Sequence, residues 1–263
     1  MNTKQEPISL PYTSGSILSM VLDIAEKMLI CGAEINRVED TIYRICSAYG
    51  AEHIEAFTIP SLITAEITLP NGDHSSMVRR VYYSENNLAR IEELNALSRE
   101  ICASPIDPKE AKIRAEQTKY QHKYSKVFRY LGAMLATSSF TLFFGGNGFD
   151  MIATAIIAFV MTFYDFHKVK KFNRLLNILI PAFIGGSLHC LLVKTGIGQN
   201  LDKVMIGSIM LLIPGIALGN SIRDLLCGDV ISGAVRFLHS ILLASAIALG
   251  YFTSIALFGG LVL

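Results

Sequence analysis

Residues 211–240 read LLIPGIALGNSIRDLLCGDVISGAVRFLHS, and the placement of this stretch decides the fold. It is apolar enough for membrane depth, yet Pro214-Gly215 interrupts it, and Asn220, Arg223, Asp224, Asp229 and Arg236 follow. Proline removes a helical donor and clashes with the preceding turn, so a helix should break at Pro214. Irregular backbone and ionisable groups are costly in hydrocarbon, and persist where they face a cavity, a water path or another helix. The stretch is therefore a candidate transport site. The plainer alternative is a proline kink followed by an ordinary surface loop.

Outward from this stretch, the second half of the chain alternates apolar runs with short polar turns. Membrane spans are expected near residues 127–145, 149–165, 175–193, 204–222 and 235–258. The fourth is a run of 19 uncharged residues. At ~1.5 Å per residue it reaches roughly 28 Å, close to the hydrocarbon thickness. Lys119, Lys123, Lys126 and Arg129 precede the first span, and Lys168, Lys170, Lys171 and Arg174 fill the loop after the second, whereas the opposite side holds only Lys194 and Lys203. The positive-inside rule then places the N-terminal part in the cytoplasm and the C-terminus outside a multi-pass plasma-membrane protein. On this topology residues 220–229 form an inner loop and Arg236 opens the fifth span. Pro214, Gly215, Asn220, Arg223, Asp224, Asp229 and Arg236 would line or gate a cytoplasmic vestibule.

The first half is of another kind. Residues 1–126 hold 14 Lys+Arg and 17 Asp+Glu, against 9 and 5 in the rest, so charge divides the chain into a soluble and a membrane part. A tail (residues 1–15), a cytoplasmic α+β domain (16–104), a linker helix (105–126) and a transmembrane domain (127–263) are expected. Paired apolar residues from Ile17 to Leu29 predict one amphipathic helix, and Ile35, Val38, Ile42 and Ile45 a second. Three strand-like runs follow, the last two joined at Asn71-Gly72, which suits a tight hairpin turn. Asn87 opens a further helix, and Asp107-Pro108 caps the linker helix, whose sequence has almost no apolar face. Glu34, Arg37, Glu39, Arg79 and Arg80 are a candidate polar cluster. Glu34 and Arg37, at i and i+3, can pair on one helix face. One of Arg79 and Arg80 must point toward the core of its sheet, where an inward arginine calls for a carboxylate, with Glu34, Glu39 and Glu66 as candidates.

Several function classes drop out. A net charge of +1 gives no reason to expect a nucleic-acid partner. The five cysteines form no CxxC and no metal-ligand spacing, so neither a metal nor a disulfide framework is expected. No GxSxG, HExxH, phosphate-binding loop or dinucleotide fingerprint occurs, which points away from an enzyme and from a cofactor. The N-terminus lacks the apolar core of a secretory leader.

The runs GAEINRVEDTIYRI (residues 32–45), TIPS (58–61), Arg79-Arg80, NLARIEELNALSREI (87–101) and PGIALGNSIRDLLCGDVISGAVR (214–236) together resemble the bacterial threonine/serine exporter family. The resemblance covers nearly the whole chain. It implies an α-helical integral membrane domain of about five transmembrane helices preceded by a small α+β cytoplasmic domain. It also implies a secondary transporter exporting threonine or serine. Full-length members carry about ten spans, whereas split relatives divide them between a chain shaped like this one and a small all-membrane subunit. A separate small membrane subunit is accordingly the expected partner, with a homo-oligomer as the other assembly. Some split relatives are linked to succinate, which makes a dicarboxylate the alternative substrate. A sensor subunit with a ligand-binding cytoplasmic domain is the alternative role.

Overall fold

The computed structural model describes residues 12–118, 125–167, 173 and 175–261. The basic residues Lys119, Lys123, Lys168, Lys170, Lys171 and Arg174, on which much of the expected orientation rests, lie outside the described residues, as does most of the tail. The helices are α1 Ser14–Ile30, α2 Ile35–Ala48, α3 Leu88–Ala103, α4 Pro108–Gln117, α5 Lys126–Phe143, α6 Gly148–His167, α7 Leu176–Lys194, α8 Leu201–Ile209, α9 Gly215–Leu226 and α10 Val230–Phe258. The strands β1 His53–Ile59, β2 Leu62–Thr68 and β3 His74–Arg80 lie between α2 and α3. Two compact units emerge: residues up to 123 together with 216–237, and residues 124–215 together with 238–263.

The first unit is built around α1. Thr13 caps it by accepting from the Ser16 amide, and its residues 17, 18, 20, 21, 22, 24, 25, 28 and 29 are all buried. That pattern runs round the helix, so α1 is a core helix rather than the one-faced helix its pairing suggests. α2, α3, α4 and the sheet pack around it. Ile35, Val38, Ile42 and Ile45 of α2 are fully buried, as their spacing requires. The strands form an antiparallel sheet in the order β1-β2-β3, with Pro60-Ser61 as the two-residue link between Ile59 and Leu62. Ile63, Ala65 and Ile67 of β2 face the core. Asp107 and Pro108 start α4 as expected. The reading of α4 as a solvated helix misses Ala111 and Ala115, which are fully buried in the core cluster. Two alanines at i and i+4 make a stripe too narrow to register as apolar periodicity, yet wide enough to seat a helix.

Three helices among the described residues are long and apolar enough to cross a membrane: α6 and α7 of the second unit, and α10, whose residues 230–237 belong to the first unit. α5 has 18 residues but begins with Lys126 and carries Arg129, Thr137, Ser138, Ser139 and Thr141, which lower its apolarity. The uncharged run at 204–222 is not one helix. α8 ends at Ile209 and α9 starts at Gly215, so the run is shared between two helices of nine and 12 residues, ~14 and ~18 Å long. Pro214 accounts for the break, because it cannot donate and forces Ile213 away from helical backbone. α9 then continues to Leu226, and only residues 227–229 separate it from α10. The expected ten-residue inner loop is thus mostly helix. Close packing joins α5 to α8, where a Cβ added at Gly207 would meet Thr141 Oγ1 at 2.0 Å and the Thr137 carbonyl at 3.0 Å.

Candidate functional site

The corner between α1 and α2 sets up the site in the first unit. Gly32 adopts φ +90°, and a Cβ there would meet Asn86 Oδ1 at 3.1 Å and the Glu85 carbonyl at 3.2 Å, so glycine alone makes this turn without strain. The turn leaves the carbonyls of Gly32 and Ala33 and the amide of Ile35 without intrahelical partners. The α9–α10 hairpin supplies them. Asn220 Nδ2 donates to the Gly32 carbonyl at 3.0 Å, Arg236 Nη2 donates to the Ala33 carbonyl at 2.9 Å, and the Ile35 amide donates to Asp224 Oδ1 at 3.4 Å. Asn220, Arg223 and Asp224 share one face of α9 by their i, i+3, i+4 spacing.

Charge completes the arrangement. Asp224 Oδ2 lies 3.1 Å from Arg236 Nη1, with side chains only 1% and 14% exposed, while Arg223 pairs with Glu34 at the rim. Asp224 also faces the amino end of α2, where unpaired N–H groups favour an anion. Burial nevertheless pushes the Asp224 carboxyl above its ordinary value. Arg236 and the Ile35 amide oppose that rise, and the Asp229 and Glu34 carboxylates add to it. A second thread runs through the sheet: Ser232 Oγ donates to the Thr58 carbonyl at 3.3 Å, and the Thr58 amide donates to Glu39 Oε1 at 2.7 Å. Burial raises the Glu39 carboxyl as well, against the Thr58 hydrogen bond. Asp229 is half-buried at the cap of α10, where its carbonyl accepts the Gly233 amide at 2.8 Å.

The structure thus gathers Glu34, Glu39, Asn220, Arg223, Asp224, Asp229 and Arg236 in one unit. Other expected members go elsewhere. Glu34 pairs with Arg223 instead of Arg37, because the helix start turns its carboxylate toward α9, and Arg37 is exposed. Arg79 is the inward arginine, but its carboxylate is Asp23 of α1 at 2.9 Å, none of the three candidates; Lys112 joins the same Asp23 at 3.0 Å. The all-round burial of α1 brings Asp23 over β3, which its apparent polar face conceals. Arg80 points outward, 5.6 Å from the ring centre of Tyr82. Pro214 and Gly215 stand at the helix break and belong to the second unit.

The second unit holds a buried acid that the sequence reading passes over. Asp150, fully buried in the first turn of α6, accepts from the Asn147 amide (2.9 Å), the Gln199 amide (2.6 Å), and the Asn200 amide and side chain (2.9 and 2.7 Å). Asn147 Oδ1 in turn accepts from the Asp150 amide at 3.0 Å, a reciprocal cap. The signal was there: Asn-x-x-Asp directly before an apolar run. Nearby helices are joined by hydroxyl contacts, Thr141–Thr154 at 2.8 Å and Ser208–Tyr251 at 2.9 Å.

The ThrE family model, which describes a threonine/serine exporter, matches residues 19–258. A "Probable threonine/serine exporter" of Mycobacterium tuberculosis is 21% identical over 91% of this chain and 46% of its own length. The "Threonine/serine exporter" of Corynebacterium glutamicum is 21% identical over 93% of this chain and 52% of its own. The chain therefore spans about half the length of these two relatives. The "Probable succinate transporter subunit YjjP" of Klebsiella aerogenes is 22% identical over 93% of this chain and 95% of its own length. No solved structure matches.

Proposed function

The chain belongs to the threonine/serine exporter family, and we propose that it acts as a secondary transporter exporting a small hydrophilic metabolite, threonine or serine first. The observation that carries this reading is the buried Asp224–Arg236 pair joining α9 to α10. An amino acid carries the same two charges in compact form. Its carboxylate can replace Asp224 at Arg236, and its ammonium can replace Arg236 at Asp224. Opening the pair to admit such a solute exchanges one set of buried charge contacts for another, so neither ion is left unpaired in a dry site. Asn220, Arg223 and Asp229 surround this gate, and Pro214-Gly215 lets α9 move as a piece separate from α8.

Five spans belong to the proposal, the fourth a broken one at 204–222 made by α8 and the first part of α9, with the N-terminal module and residues 223–229 on the cytoplasmic side and the C-terminus outside. The Lys/Arg bias of the sequence supports this orientation. A separate small membrane subunit as partner belongs to the proposal too, and the word "subunit" in the name of the Klebsiella relative is its support. The test is efflux of threonine and serine from preloaded cells carrying the chain with its partner. Asp224→Asn and Arg236→Gln should each reduce efflux at unchanged membrane abundance, and unchanged efflux in both would remove the gate. A dicarboxylate is the second reading, favoured by the match over nearly the full length of the succinate-named relative. It would draw on Arg223 and Arg236 and leave Asp224 dispensable, and competition between succinate and threonine for efflux separates the two.

A further inference from the structure

Between α2 and α3 lies an open cleft of about 490 Å³, within the ~300–1,000 Å³ typical of small-molecule sites. Arg37, Thr41 and Arg44 line one wall from a single face of α2, and Asn95, Ser98 and Arg99 line the other from a single face of α3. The buried side chain of Ile91 contributes apolar lining. Three guanidinium groups therefore meet two carboxylates, Asp40 and Glu92. Asp40 is already engaged, since Arg44 Nε lies 2.9 and 2.8 Å from its two oxygens. Among the described residues neither Arg37 nor Arg99 has an ion-pair partner, although each stands beside polar groups in a concave site.

Arg37 is also placed against the interest of its own helix. It occupies the first turn of α2, which holds no acidic residue, so its charge opposes the positive end of the helix dipole. The Asp224 carboxylate already serves that helix end, and Arg37 itself has no ion-pair partner among the described residues. A guanidinium offers a planar fork that takes a carboxylate or phosphate with two parallel hydrogen bonds. Thr41 spends its hydroxyl proton on the Arg37 carbonyl at 2.8 Å, which leaves the oxygen as an acceptor for a ligand hydroxyl.

We propose that this cleft binds a compact organic anion with two or more carboxylate or phosphate groups, held between Arg37 and Arg99, as a regulatory ligand. Arg37 stands two residues beyond Ile35, whose amide holds Asp224. Occupancy of the cleft is thereby felt at the end of α2 that grips the α9–α10 hairpin. The site does not depend on what the chain transports.

The test is calorimetric titration of the purified full chain in detergent with sodium succinate, sodium citrate and inorganic phosphate, using sodium chloride at matched ionic strength as the reference. Succinate or citrate should bind saturably at one site, more tightly than phosphate, which carries a single group. The Arg37→Gln/Arg99→Gln variant should bind it about tenfold more weakly or worse, and Arg37→Lys/Arg99→Lys should fall between, since lysine keeps the charge without the fork. Arg223→Gln, at the exposed rim of the hairpin, should bind like the original. Both arginines are exposed, so an unchanged unfolding midpoint confirms that the double variant is folded. Saturable binding of neither succinate nor citrate, or equal binding by the glutamine variant, overturns the proposal. So does loss of binding in Arg223→Gln, which would put the anion at the hairpin. Absence of threonine or serine efflux by the original chain, with cleft binding intact, would count against the transport reading alone.

Discussion

Asp150 and Asp224 are both buried aspartates, one in each unit, and they are neutralised in opposite ways. Asp150 is held by three backbone amides and one side-chain amide, with no ion-pair partner among the described residues. Asp224 has one backbone amide and the guanidinium of Arg236 on the next helix. Backbone amides are fixed by the fold and cannot leave, so the Asp150 cluster is a staple between two turns. A guanidinium on a long side chain can be exchanged for another cation, so the Asp224 contact is one that a charged solute can displace.

The largest effect should come from Arg236→Ala. It strands the Asp224 carboxylate in a dry site, and removal of one member of a buried pair costs about 3–5 kcal/mol; denaturant titration in detergent reads it. Asp150→Ala should cost about 3 kcal/mol, because it leaves several buried donors without an acceptor. Asp150→Asn should recover part of that loss by keeping one carbonyl oxygen, and equal damage from both replacements would contradict the staple. A smaller, pH-dependent difference follows from the raised Asp224 carboxyl. The folded state holds this proton more tightly than the unfolded chain. The resulting stabilisation is fully present below the unfolded value, ~3.9, and is lost as pH rises through the folded one. Between neutrality and about pH 4, acidification should therefore favour the original chain over Asp224→Asn, measured as the difference of their unfolding free energies. An absent or opposite trend would show that Arg236 outweighs burial. Glu34→Gln should have the least effect, about 1 kcal/mol or less, since the Arg223–Glu34 pair sits at the solvent-exposed rim. Cys227, exposed between α9 and α10, reports orientation: a membrane-impermeant thiol reagent should label it in inverted vesicles and not in intact cells.

What could be read from the sequence was local. The apolar face of α2, the Asn71-Gly72 hairpin, the capped starts of α3 and α4 and the break at Pro214 all follow from spacing and backbone chemistry, and each has its counterpart in the structure. The pairings were not readable. Arg223 meets Glu34 and Arg236 meets the Ala33 carbonyl across most of the chain length, and periodicity carries no information about partners so far apart. Arg79 shows the same limit: the need for a carboxylate was evident, but Asp23 could be chosen only once α1 was known to be buried all round. The fourth apolar run shows another. Hydropathy averages over a proline, whereas the hydrogen-bond ladder does not.

The contact between Gly207 and Thr141 has a consequence for descent. With 2.0 Å between a Cβ at 207 and the threonine hydroxyl, neither position can drift alone toward larger side chains. A lineage that acquires alanine at 207 must first, or at once, shed the hydroxyl at 141 and let α5 shift away from its 3.0 Å carbonyl contact. Across relatives the two sites should therefore change as a linked pair. Their joint history would be a record of how closely α5 and α8 have been held together.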